Sequence, residues 1–162
     1  MQQLYRANQL LMNGQAAEAA ALFAQLAVEL ERLGHPRRAA NLHVQAARAY
    51  AEARIEKNAT EEGRTALNQF LQLGMAQRAA RFYQNVRRRM QELGMKGAAD
   101  ALQKEFEGKV PKVEAGDAPA AKGRLPAKCS QCGAPVRSDE VDWIDAHSAE
   151  CVYCGSVVQT ES

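Results

Sequence analysis

The chain has 162 residues and a formal net charge of +2, with 46% hydrophobic residues but only 6% aromatics. That length holds one medium domain or a domain plus a small module, and its core must be built mostly from Ala and Leu. So small a charge singles out neither nucleic acid nor a membrane surface as partner, and no stretch approaches the ~18 apolar residues of a membrane span.

The opening segment, Met1 to Arg6, lacks the basic stretch and apolar run of a secretory signal. The expected location is the cytoplasm, where thiols stay reduced and paired cysteines read as metal ligands before disulfides. Charge is unevenly placed: +4 over residues 1–107, +2 over 108–127 and −4 over 128–162.

Residues 1–107 read as helical throughout. Ala, Leu, Gln, Glu and Arg dominate, and Pro36 is the one proline. Four of its glycines, at 14, 34, 74 and 94, punctuate the stretch at spacings of 20, 40 and 20 residues. A period of 20 is one helix with its turn, and 40 is one helical hairpin. Each of these four follows an apolar-periodic run, as a left-handed residue just past a helix end would. Gly34-His35-Pro36 marks the clearest boundary, with proline early in the next helix, where its missing N–H is harmless. A second break is expected at Lys57-Asn58-Ala59-Thr60, with Thr60 as N-cap and Glu61 and Glu62 in the first turn.

The helices are amphipathic. Ala16, Ala19, Phe23, Leu26, Leu30 and Leu33 keep steps of 3 and 4 residues. Ala39, His43, Ala46, Tyr50 and Ala53 do the same, as do Ala79, Tyr83, Val86, Met90 and Leu93. His43, on such a stripe, is expected at a half-buried core position rather than as a ligand.

The run Gly14-Gln15-Ala16 … Ala19 … Phe23 … Leu26 resembles the second helix of a tetratricopeptide repeat. There a turn glycine precedes a small residue five positions on, then an aromatic, then another small or apolar residue. Gly34 … Ala39 … His43 … Ala46 and Gly74 … Ala79 … Tyr83 … Val86 resemble it too, and Gly94 … Ala99 carries the first half. The spacing differs from the 34-residue tetratricopeptide period, and the signature of the first helix is missing. The resemblance implies a tetratricopeptide-like array of antiparallel helical hairpins that binds protein or peptide on a concave face.

Residues 108–127 read as a flexible linker, with prolines and glycines among Ala and charges and no periodicity. Such a linker would leave the two ends without a fixed relative orientation, although their opposite charges favour packing. Residues 128–162 change character. Val136, Val141, Trp143, Ile144, Val152, Tyr153, Val157 and Val158 favour strands, in a segment too short to fold on a hydrophobic core alone.

That segment holds Cys129-Ser-Gln-Cys132-Gly133 and Cys151-Val-Tyr-Cys154-Gly155, with eighteen residues between Cys132 and Cys151. Two residues between cysteines make a tight turn that aims both sulfurs at one ion, and the following glycine permits positive φ. Two such turns give four thiolates around a metal, at about 2.3 Å for Zn2+. The expectation is a structural zinc ribbon with Cys129, Cys132, Cys151 and Cys154 as ligands. Four thiolates leave no open position for catalysis, and the metal supplies most of the module's folding free energy. Iron is the alternative, because the turns resemble those of rubredoxin. Helices followed by such a module also resemble rubrerythrin, a di-iron peroxidase. Its Glu-x-x-His ligands have no counterpart around His35, His43 or His147. His147, four residues before Cys151, is expected at the surface or beside the ligands, and Trp143 is expected to pack on the ribbon.

Arg78, Arg81, Arg87, Arg88 and Arg89 form the densest basic cluster. Arg78, Arg81, Arg88 and Arg89 fall largely opposite the apolar stripe. They read as a solvated helix face or as a contact for an acidic partner or nucleic acid. The acidic ribbon, with Asp139, Glu140, Asp142, Asp145 and Glu150, would repel phosphate. No nucleophile–base constellation, phosphate loop or carboxylate pair points to an enzyme. The expected function is a non-catalytic protein-interaction adaptor or scaffold that binds a protein or self-associates through its helices. The alternatives are a nucleic-acid-associated regulator using the arginine face and a rubredoxin-like electron-transfer protein.

Overall fold

A computed structural model describes residues 2–112 and 123–161. The first stretch holds six helices: α1 Gln2–Met12, α2 Ala16–Arg32, α3 Pro36–Glu52, α4 Glu56–Gln72, α5 Ala76–Glu92 and α6 Lys96–Phe106. The four middle helices are each 17 residues long and start 20 residues apart. The turn explains this spacing. At the end of α2, the Gly34 N–H donates to the Glu31 carbonyl and the His35 N–H to the Leu30 carbonyl, a Schellman closure. The His35 carbonyl then accepts from the Ala39 N–H. One residue thus ends a helix and begins the next, so no side-chain N-cap is needed, and none is made from α2 to α6.

The expected break at 57–60 is displaced. The α3–α4 turn falls at Ala53-Arg54-Ile55, where Arg54 takes φ 63° in the place glycine holds at the other turns. Thr60 lies inside α4 and bonds the Glu56 carbonyl, while Glu61 and Glu62 lie beyond the first turn. The missing glycine hid the turn, yet the 20-residue period persists through it.

The helices pack in sequence, α1 to α6, with further contacts from α3 to α5 and from α4 to α6. Alanine fills most of the contact positions. Ala19, Ala20, Ala27, Ala40, Ala47, Ala59, Ala66, Ala79 and Ala99 are fully buried around Phe23, Phe70 and Phe106, so backbones approach closely. In α2 the buried line is Ala19, Ala20, Phe23 and Ala27, and Leu33 at the end is exposed. Helix α3 is buried almost all round, from Ala39 to Ala47 and again from Ala49 to Ala51. A second layer therefore covers the face that periodicity alone assigns to solvent.

That layer is the C-terminal module. Strands β1 Asp142–Trp143, β2 Ser148–Glu150 and β3 Val157–Gln159 form an antiparallel sheet in the order β1-β2-β3. The register pairs Asp142 with Glu150 and Ala149 with Val158. Of the strand-favouring residues, Val152 and Tyr153 lie instead in a cysteine turn, and Ile144 is exposed past β1. Trp143 is half-buried and donates its indole N–H to the Ser138 carbonyl. Of the 108–127 segment, residues 113–122 lie outside the described residues. Val110 packs on the helical core, Leu125 is buried, and Arg124 bridges to Glu161.

Candidate metal centre

The two cysteine turns are near copies. In the first, the Gly133 N–H donates to the Cys129 carbonyl at 2.9 Å; in the second, the Gly155 N–H donates to the Cys151 carbonyl at 2.8 Å. The Cys129 N–H meets the Ala134 carbonyl and the Cys151 N–H meets the Ser156 carbonyl, both at 2.8 Å. Gly133 and Gly155 have φ of 70° and 77°, the left-handed region that the sequence spacing required.

These turns bring all four sulfurs within 4.8 Å of one another, with every cysteine buried. Cys129 Sγ lies 3.7 Å from Cys154 Sγ, and Cys132 Sγ 3.8 Å from Cys151 Sγ. The thiols are free, and these separations are far beyond the ~2.05 Å of a disulfide. They match the edge of a tetrahedron with ligands about 2.3 Å from its centre, roughly 3.8 Å. The four residues could therefore hold a metal ion.

Ser156 completes the surroundings. Its Oγ lies 2.9 Å from Cys154 Sγ and 3.3 Å from Cys129 Sγ, so its hydroxyl can donate to sulfur. The first turn carries Ala134 at the matching position, five residues after its leading cysteine. The Cys151 thiol is held below the ordinary thiol range, first by the hydrogen bond from Cys132 and then by the N–H groups of Cys154 and Tyr153. Amide donors of this kind stabilise thiolate over thiol.

The turns face the helices. The Tyr153 hydroxyl donates to Gln45 Oε1 in α3 at 2.8 Å, and its ring lies 6.0 Å from that of Phe23 in α2. Gly133 sits beneath Tyr5 of α1 so closely that a Cβ there would come within 2.7 Å of the ring. Acidic residues of the module meet arginines of the array. Arg37 pairs with Asp142 at 2.9 Å and Glu150 at 3.2 Å, and Arg48 with Glu140 at 2.7 Å.

Arg78 is not on a solvated face. It is buried, donates to the Glu140 carbonyl and to Asn41, and lies over the Phe70 ring. Burial pushes its pKa down, to about 10, with Asp142 pulling the other way, so it stays cationic at neutral pH. Arg87 packs over Tyr83 and bonds Gln103 of α6, while Arg89 is held by Glu52 and Glu92. Arg88 is exposed and bonds Asn85 of its own helix. Arg81 is half-buried, and with Arg78 buried the five arginines do not share one exposed face. His43 is buried, with Nδ1 on Glu62 and Nε2 on Glu31. His147 is exposed and outside the cysteine cluster.

Sequence reasoning missed Ser156, Tyr153, Gln45 and the partners of Arg37 and Arg48. Only Ser156 carried a readable sign, being the position that differs between two otherwise matching turns.

The fold is that of a tetratricopeptide-like helical array, the architecture of protein-interaction scaffolds. The profile of the family described as "Soluble NSF attachment protein, SNAP" matches residues 4–107, which is the array from α1 to just past α6. The chain belongs to the SNAP family, a family of helical protein-interaction adaptors. The cysteine module lies beyond the matched residues. A search of curated proteins gave no match, and a search of solved structures gave none. Among the described residues, no helix is long and apolar enough to cross a membrane.

Proposed function

We propose that the protein is a non-catalytic, cytoplasmic adaptor whose helical array binds a partner protein or a second copy of itself. Membership of an adaptor family over residues 4–107 carries this reading. On this reading the chain divides into an array at 1–107, a connection at 108–127 and a zinc ribbon at 128–162. Cys129, Cys132, Cys151 and Cys154 hold a structural Zn2+, supported by sulfur separations that suit a tetrahedral site. Filled by four thiolates, the ion has no position left for a substrate and acts to fold the module.

The test has two arms on one preparation. Stoichiometric co-purification of a partner that rebinds as a purified protein, or self-association in sedimentation, supports the adaptor; a strict monomer that retains nothing overturns it. Metal analysis with an absorption spectrum decides the ion: about one zinc per chain and no visible bands supports zinc, and the red colour of ferric tetrathiolate replaces it with iron.

A further inference from the structure

We propose that the metal-bound cysteine turns act as a latch that holds the C-terminal module on α1, α2 and α3, so that removing the metal frees the module and uncovers the array beneath. This rests on the reading of the four cysteines as a metal site.

The contact geometry carries it. The module reaches α1 and α2 through the turns that position the ligands, and α3 through those turns and the ion pairs of Arg37 and Arg48; it also meets α5, where Arg78 donates to the Glu140 carbonyl. Gly133, next to Cys132, lies under Tyr5, and Gly155, next to Cys154, lies beside Arg38. Tyr153, between Cys151 and Cys154, meets Phe23 and Gln45. The shape of the turns is the shape of the interface.

Nothing else in the module is strong enough to keep that shape. Its strands are 2, 3 and 3 residues long, and chains below about 40 residues rarely fold without a cross-link or metal. The ion pairs of Arg37 are partly exposed, and pairs of that kind contribute little; Arg48 and Arg78 hold Glu140, away from the turns.

The face beneath suits removal of its cover. Asn41, Gln45 and Arg78 are buried polar residues on the array side, with Arg78 and Gln45 taking partners from the module. Water replaces such partners readily, whereas a face of leucines would pay the full cost of exposure. The array keeps its own alanine-lined contacts in either state.

The experiment uses the full chain with a protease site placed within residues 113–122. The chain is folded, cut there and passed over a sizing column, with zinc or with a strong chelator, and zinc is measured in each fraction. The expected result is co-elution of the two pieces with about one zinc, and loss of co-elution once the zinc is stripped. Pieces that stay together without metal, or part while zinc remains bound, overturn the latch and leave the metal site standing. A chain that neither carries metal nor takes up zinc overturns both. Gln45→Lys, outside the module, sets a charge under Tyr153. It should lose co-elution while keeping its zinc and its helical circular dichroism, and undiminished co-elution counts against the latch.

Discussion

His43 of α3 and Glu62 of α4 are joined at 2.5 Å, Nδ1 to Oε2, in a pair the core almost closes over. The other ring nitrogen meets Glu31 of α2 at 2.8 Å, and Gln69 donates to the same carboxylate. With a carboxylate on each nitrogen, the imidazole is best satisfied when both nitrogens carry protons. Burial opposes the charge, but the bonds to Glu62 and Glu31 outweigh it and hold the His43 pKa above its ordinary value.

The sign of the pH dependence follows. A group whose folded pKa is raised contributes stability that is complete below its unfolded pKa, about 6.5, and is lost as pH rises through the higher folded value. Denaturant midpoints should fall on going from pH 6 to the alkaline side of that value, and His43→Leu should flatten the slope. At pH 6 the variant should also be less stable by about 2–3 kcal/mol, because two carboxylates lose a charged donor. A wild-type midpoint that rises over the same range would contradict the pairing.

Ser156 gives a second prediction. Ser156→Ala removes a hydroxyl 2.9 Å from Cys154 Sγ and 3.3 Å from Cys129 Sγ; if the four cysteines hold a metal as proposed, it should weaken metal binding about tenfold, the lower end of what outer groups contribute. Competition with a chromophoric chelator reads this directly. Ala134→Ser, at the matching position of the first turn, tests whether a hydroxyl there strengthens binding.

The turns give a third. Gly34 has φ 81° and open space around the site of a Cβ, so Gly34→Ala should cost roughly 1–2 kcal/mol from backbone strain alone. Arg54 already bears that strain, and its guanidinium bonds the Leu93 carbonyl at 2.6 Å. Arg54→Gly gains about 1 kcal/mol of relief and loses a hydrogen bond of similar worth, so its urea midpoint should stay near wild type. A large loss would show that the bond to Leu93 matters more than the backbone.

Arg78 and Arg88 give the fourth. Arg78→Met removes the donor to Glu140 and should destabilise by about 1–3 kcal/mol, whereas Arg88→Met, at an exposed position, should change stability by less than about 0.5 kcal/mol. Equal effects in thermal unfolding would refute the buried position of Arg78.

Much of this was legible in the residues. The 20-residue glycine spacing located four of the five turns because left-handed φ favours glycine. The fifth escaped because Arg54 takes the strain, and Thr60, which looks like an N-cap, bonds back along its own helix instead. The Cys-x-x-Cys-Gly pairs showed which residues converge, since local turn geometry is short-range. The long-range cover over α3 was not legible: nothing at Gln45 or Arg78 announces a partner more than 60 residues away, and a buried arginine has the same letter as an exposed one. The charge difference between the ends hinted that they meet, without saying where.

The equal helices carry one more consequence. An array whose four middle helices are each 17 residues long and start 20 residues apart has no internal ruler, since each helix feels mainly its neighbours. Lengthening it by one 20-residue unit would leave those contacts almost unchanged. The C-terminal module ends that indifference. It touches α1 through Tyr5, α2 through Phe23, α3 through Gln45 and α5 through Arg78, so only helices placed relative to one another as these four are can present all the contacts together.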